Sequence, residues 1–224
     1  MFQLTYKNAF SLFTYWGQIL SLLEASGEFN QFGEDVGLRG ILASRESDRK
    51  GRPFQLAIRL NSLDGSFEEH PFKSLHPLTG IFRQTNEVLS LLNIQEYMRV
   101  GVRFFFLGPQ IEFEEMREKL ASNVAREYLG LFEHKLTDLS IITIHEDGNE
   151  RMRVAVGPIR RNEFKNWFAT LVGIEQESTM IFDVDCSATP FKAARFDLEK
   201  LVSLYYSKSL EHVELIGKLM MPGA

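Results

Sequence analysis

Cysteine is almost absent from this chain, which contains a single one, Cys186. One cysteine excludes an internal disulfide and any zinc site built from several thiolates, and sparse cysteine is typical of a reducing compartment. The sequence also lacks an apolar run long enough to cross a bilayer, and Lys7 and Asn8 interrupt the apolar residues at its start. Neither a membrane span nor a signal peptide is predicted, and we expect a cytoplasmic protein that does not contact membrane.

The sequence also lacks the short motifs that mark common enzyme classes. It has no Walker phosphate-binding loop, no Gly-x-Gly-x-x-Gly dinucleotide loop and no Gly-x-Ser-x-Gly nucleophile elbow. Five histidines are present, but no two have the close helical spacing of a zinc enzyme. Without a complete catalytic set, the sequence favours a protein that is not an enzyme and has no cofactor.

Positive charge is in deficit as well. The chain has 25 Lys and Arg against 30 Asp and Glu, which gives a formal net charge of -5. This balance disfavours broad attraction to nucleic acid or to anionic membrane. A charged turn carries a local basic cluster that could contact phosphates, so nucleic-acid binding is kept as an alternative: Arg45, Arg49, Lys50 and Arg52.

What the chain does contain is typical of a folded domain with an aromatic core. Hydrophobic residues make up 44% of its 224 residues, and Phe occurs 19 times. The regular parallel β-α-β rhythm of a doubly wound fold is missing. We predict an α+β fold with a largely antiparallel sheet covered by helices on one face. It forms a single domain over residues 1–224, with two similar halves, about 1–110 and 111–224, as an alternative.

Hydrophobic periodicity predicts the main elements. Strands are expected at residues 37–44, 54–60, 97–107, 139–145, 152–156 and 179–186, and helices at 9–25, 78–92, 113–131, 162–171 and 196–219. In the first helix the residues predicted to face the core are Phe13, Trp16, Leu20 and Leu23. In the second they are Ile81, Phe82, Val88, Leu89 and Leu92.

The strand at residues 97–107 organises the prediction of a site. Alternation places Met98, Val100, Val102, Phe104 and Phe106 on one face, and two arginines separated by Gly101 on the other. If helices cover the apolar face, a polar face could gather Arg59, Arg99, Arg103, His145, Arg153, Asp183 and Asp185. Arginine forks recognise carboxylates and phosphates, so this face is predicted to bind a partner protein or a small anionic ligand. A solvated face held by internal ion pairs is the competing interpretation.

Asp183 and Asp185 form the sharpest local pattern that could serve catalysis. They lie two apart on a predicted strand, so both carboxylates point to one face and could bind Mg²⁺. The stretch resembles the Asp-x-Asp motif that opens haloacid-dehalogenase-type phosphatases, although Cys186 stands where that family usually has Gly. A metal-dependent hydrolase or phosphotransferase is therefore an alternative function. The preferred prediction is that Asp183 and Asp185 face the arginines of neighbouring strands.

The strand Arg99-Val-Gly-Val-Arg-Phe104, between two helices, resembles one in a sporadically distributed family of uncharacterised bacterial proteins. That family also ends in an apolar strand with an Asp and a long helix, as Asp183 and residues 196–219 do here. The chain departs from the family by having Phe105 and Phe106 where an asparagine is usual. The resemblance implies an accessory gene, such as a component of a defence or toxin-antidote system. We expect a non-enzymatic binding or interaction protein that acts through the polar sheet face or an exposed aromatic helix. The sequence leaves its oligomeric state open.

Overall fold

The computed structural model describes residues 1–35, 39–45, 54–67, 75, 78–108, 112–124, 139–160, 163, 178–192 and 196–220. The chain clusters into two compact units that interleave along the sequence. Unit 1 comprises residues 1–102, 147–150 and 186–205, and unit 2 comprises residues 103–146, 151–185 and 206–224. None of the described helices is long and apolar enough to cross a membrane.

Unit 1 is built on antiparallel strands. They are β1 (Phe2–Tyr6), β2 (Gln31–Asp35), β3 (Gly40–Arg45), β4 (Phe54–Ile58), β5 (Ser62–Phe67) and the first part of β6 (Glu96–Leu107). Their order is β2-β3-β4-β5-β1-β6, and the short strand β10 (Phe191–Lys192) pairs with the start of β6. Phe2 lies opposite both Gly65 and Val102, so β1 is an inner strand although the periodicity did not reveal it.

Two helices pack against each other in unit 1, which also contains the start of the last helix. Helix α1 (Ser11–Ala25) packs against α2 (Thr79–Leu92), and the Ser11 hydroxyl donates to the Leu92 carbonyl oxygen over 2.7 Å. All five core residues predicted for α2 are buried, which confirms that prediction. Phe2, Phe67 and Phe82 pack with ring centroids 6.2–6.3 Å apart. The predicted aromatic core is therefore present.

The predicted core stripe of α1 is wrong in part. The buried residues are Leu12, Ile19 and Leu23, while Phe13 is 48% exposed. Residues on nearly every side of this helix are apolar, so spacing alone could not select the face that meets α2 and the sheet.

A register shift corrects one face assignment in β6. Thr5 lies opposite Arg99 but Tyr6 lies opposite Tyr97, so one residue of β6 is skipped in the pairing. Tyr97 consequently takes the core position predicted for Met98, and Met98 is 55% exposed. An extra residue of this kind changes the facing of every residue before it, which local alternation cannot foresee.

Unit 2 contains the rest of β6 together with β7 (Ile141–Asp147), β8 (Glu150–Arg160) and most of β9 (Ser178–Ala188). Their order is β6-β9-β8-β7. Two described helices contribute, α3 (Phe113–Val124) and the second part of α4 (Leu198–Met220). Rings of Phe104 and Phe106 lie 5.6 and 5.9 Å from that of Tyr206 on α4, so α4 covers this side of β6.

The predicted α+β class with a largely antiparallel sheet is confirmed. Internal duplication stays a prediction, and the helix predicted at residues 162–171 lies outside the described residues except for Glu163. Strands β2 and β5 were not predicted, because Gly, Asp, Ser and Asn dominate their surroundings and read as turns.

Candidate functional site

Asp183 is the centre of an ion cluster in unit 2. Strand β9 lies between β6 and β8, and Asp183 is buried between an arginine from each neighbour. Arg103 donates from Nε to Oδ1 over 2.6 Å and from Nη2 to Oδ2 over 2.7 Å. Arg153 donates from Nη1 to Oδ2 over 3.3 Å. The predicted pairing of Asp183 with arginines from neighbouring strands is thus present in the structure.

The electrostatics of this cluster are internally compensated. Its hydrogen bond to Asp183 raises the pKa of Arg103, and Asp185 adds a further attraction from two residues along β9. The Phe105 ring lies 4.9 Å from the Arg103 guanidinium carbon, which gives the cation an apolar support. Two guanidiniums face two carboxylates here. An incoming anion would have to compete with Asp183 for Arg103, whose side chain is 39% exposed.

The same geometry bears on the alternative of a metal site. Both Asp183 carboxylate oxygens accept hydrogen bonds from guanidinium groups, so a divalent cation there would meet two positive charges. Among the described residues, no group of three His, Cys, Asp or Glu side chains is placed to hold a metal ion. The arrangement favours an ion-pair role for Asp183 over ligation of Mg²⁺.

Arg59 belongs to a separate cluster in unit 1. Its Nε lies 2.9 Å from Asp35 Oδ2, and its Nη1 also pairs with Asp64. The Tyr6 hydroxyl lies 2.8 Å from the carbonyl oxygen of Arg59 and 2.9 Å from that of Ser62, and donates its proton to this pair. Two carboxylates and a buried tyrosine therefore hold the turn between β4 and β5, which indicates a structural role for Arg59.

Arg99 lies along its own strand. Its guanidinium crosses Gly101, where an added Cβ would come 3.0 Å from Nη1, and Nη1 donates to Gln3 Oε1 over 3.0 Å. Because Gly101 has no side chain, another group can approach its backbone closely. The approaching group is a side chain of the same strand.

Two glycines give matched substitutions with opposite expected costs. In Gly65→Ala the new Cβ would overlap the buried Phe2 ring, whereas in Gly101→Ala the nearest atoms would belong to the flexible end of Arg99. We expect Gly65→Ala to lower the free energy of unfolding by about 2 kcal/mol and Gly101→Ala by less than about 1 kcal/mol. Urea unfolding of both variants measures the two free energies of unfolding. An equal loss in Gly65→Ala and Gly101→Ala would contradict the contact geometry.

His145 is not part of the Asp183 cluster. Its ring packs against that of His212 on α4, with centroids 5.4 Å apart. Helix α4 lies on the side of Phe104 and Phe106, which alternate along β6 with Arg103, so His145 and Arg103 lie on opposite faces. The predicted grouping of His145 with the arginines of unit 2 is wrong, because alternation fixes faces within a strand but not between strands.

The predicted basic turn lies mostly outside the described residues, which include only Arg45. Arg45 Nη1 forms an ion pair with Glu28 Oε2 at 2.8 Å.

No protein-family model, curated protein or solved structure matches the chain. The resemblance to a bacterial family stays a prediction, and the side-chain geometry must indicate the function.

An exposed aromatic surface lies along α1 and its N-cap residue Phe10. The sequence predicted an exposed aromatic helix as an alternative binding surface but did not say which helix. Phe10 is 65% exposed and Phe13 is 48% exposed. The half-buried Trp16 and Leu20 follow on the same side of the helix, because they come three and then four residues later. We call these four residues the aromatic stripe. One signal in the sequence could have revealed it, since Glu24 is the only charged residue in the 15 residues of α1.

Proposed function

We propose that this chain is a non-enzymatic interaction protein that binds a partner protein through the aromatic stripe of α1. The observation that supports it is the exposure of Phe10 and Phe13, at 65% and 48%, on a helix whose other side already packs into the core. Exposed apolar patches of this kind are typical of interaction sites. Aromatic side chains also supply much of the binding energy in protein interfaces.

The chemistry of the stripe defines the partner. Surface helices normally carry charged residues towards solvent, but α1 places the uncharged Thr14, Gln18 and Ser21 there. Such a surface offers nothing to a phosphate backbone or a small anion. It fits an uncharged apolar pocket on another protein, where burial of each Phe ring would contribute about 1.5–3 kcal/mol.

The Asp183 cluster supports the non-enzymatic part of the proposal. Its carboxylate is held by Arg103 and Arg153, so neither a free nucleophile nor an open metal ligand is indicated at this position. An accessory role in a defence or toxin-antidote system remains an expectation from the family resemblance.

Photo-crosslinking tests the stripe directly. We replace Phe13 with p-benzoylphenylalanine in the native cell and identify the adduct, with Phe32 as the matched position because it is also an aromatic residue of unit 1 and is 40% exposed. The captured protein is then purified. We expect the double variant Phe10→Ser and Phe13→Ser to weaken its binding by about 100-fold or more in calorimetry, and Phe32→Ser to leave it unchanged.

Three results would overturn the proposal. Adducts that form equally from positions 13 and 32 would indicate nonspecific contact. An adduct with only a second copy of the chain would make the stripe a self-association surface, and unchanged affinity in the double variant would move the interface elsewhere.

A further inference from the structure

The strand β7 in unit 2 is an exposed edge with unusual chemistry. Among the strands that the structure describes, β7 is the last in the sheet and has one neighbour, β8. Natural edge strands usually carry Lys, Pro or a bulge that prevents further pairing. Residues 141–145 of β7 read Ile-Ile-Thr-Ile-His and contain no Lys or Pro, and the charged residues of this strand, Glu146 and Asp147, lie only at its end. No other strand among the described residues pairs with this edge.

Two isoleucines on this strand face solvent. Ile142 is 54% exposed and Ile144 is 50% exposed, and because they are two residues apart they share one face. His145 packs against His212, so the other face of β7 is the one that meets α4. The isoleucines thus lie on the side away from α4, beside an edge that no described strand occupies.

We propose that β7 pairs antiparallel with β7 of a second copy, centred on Thr143. Residues directly opposite each other in such a pair must point to the same face, which allows centres at 142, 143 or 144. A centre at Thr143 places Ile142 opposite Ile144 of the partner subunit and, by symmetry, Ile144 opposite the partner subunit's Ile142. All four exposed isoleucine side chains then form one apolar cluster.

Pairing centred on Ile142 or on Ile144 brings fewer isoleucine side chains together. Centring on Ile144 places Ile142 opposite Glu146 of the partner subunit, which buries an apolar side chain against a carboxylate. Centring on Ile142 places Ile144 opposite Ser140 of the partner subunit and pairs only one isoleucine with its copy. The preferred centre also places Glu146 opposite Ser140 of the partner subunit, so no like charges meet.

This self-complementarity is the reason to choose a second copy as the occupant. The strand contains both halves of each isoleucine pair, so a dimer with two-fold symmetry satisfies all four side chains at once. The surface is distinct from the aromatic stripe, which belongs to unit 1. A failure of one proposal therefore leaves the other standing.

Mixed disulfide crosslinking tests the register. We make Ile142→Cys and Ile144→Cys separately, both at exposed positions, in a chain whose native Cys186 is buried. Opposite residues lie within disulfide range, whereas diagonal positions lie about 7–8 Å apart. We expect oxidised glutathione to crosslink the mixture of the two variants and neither variant alone. Sedimentation of the wild-type chain should show a dimer, with a dissociation constant raised about 100-fold or more in Ile142→Lys.

Each alternative outcome overturns the proposal. Crosslinking of Ile142→Cys alone or of Ile144→Cys alone would establish one of the rejected centres. If the wild-type chain is monomeric and the mixture of the two cysteine variants does not crosslink, pairing through β7 is excluded. A dimer that Ile142→Lys does not weaken would place the interface elsewhere.

Discussion

Raising the pH from 9 to 11 is expected to lower the free energy of unfolding by about 4 kcal/mol, about 1.3 kcal/mol for each of the three tyrosines Tyr6, Tyr97 and Tyr205. All three are buried in unit 1. Burial raises the pKa of Tyr6 and Tyr97 well above the usual 10, and Tyr97 and Asp64 raise that of Tyr6 further. Burial, with Glu150 and Cys186, raises the pKa of Tyr205 to about 12.

The sign follows from proton binding. Between pH 10 and pH 12 the unfolded chain has lost these phenolic protons while the folded chain still holds them. The folded state then binds more protons, so stability falls as the pH rises. The stabilisation is fully present below pH 10, where both states are protonated, and is lost as the pH approaches the raised values.

Urea unfolding at pH 9, 10 and 11 measures this loss. Lysines also titrate in this range, so the tyrosine contribution is isolated by comparison with Tyr6→Phe. That variant should lose about one third of the dependence, while also losing the hydrogen bond to the turn at Arg59 and Ser62 at every pH. Identical pH dependence in the two chains would contradict the burial of this hydroxyl.

Asp183→Asn is expected to lower the free energy of unfolding by about 2–3 kcal/mol at neutral pH. The substitution keeps the shape but removes the charge, so the Arg103 and Arg153 guanidiniums lose the carboxylate that they share and keep only the weaker attraction of Asp185 to Arg103. A fully buried pair would cost more. The value is reduced here because the two arginine side chains are 39% and 32% exposed.

A double-mutant cycle separates this pair from other effects. Combining Asp183→Asn with Arg103→Gln should show a coupling of about 1–2 kcal/mol, because each single variant breaks the same bidentate contact. Asp185→Asn is the matched control on the same strand and should cost less than Asp183→Asn. A stability unchanged by Asp183→Asn would refute the structural role of the cluster and favour a site that holds its charges for a ligand.

The sequence by itself was sufficient for elements whose two sides differ in polarity. Helix α2 has one apolar side and its predicted core residues are buried, and β9 and α4 begin within two residues of their predicted starts. Periodicity is a local property that a chain carries before it folds. The absence of catalytic motifs is likewise readable without coordinates, as was the pairing of Asp183 with an arginine.

Only the tertiary structure decided the rest, because it depends on contacts between residues distant in sequence. The side of α1 that is buried was set by α2 and the sheet, which leaves Phe10 and Phe13 in solvent. The register shift in β6 that puts Tyr97 in the core in place of Met98 arises from pairing with β1. The side of the sheet on which His145 lies is known only from its packing against His212. A single strand or helix contains no information about which neighbour covers it, so the candidate surfaces emerged only when the neighbours were in place.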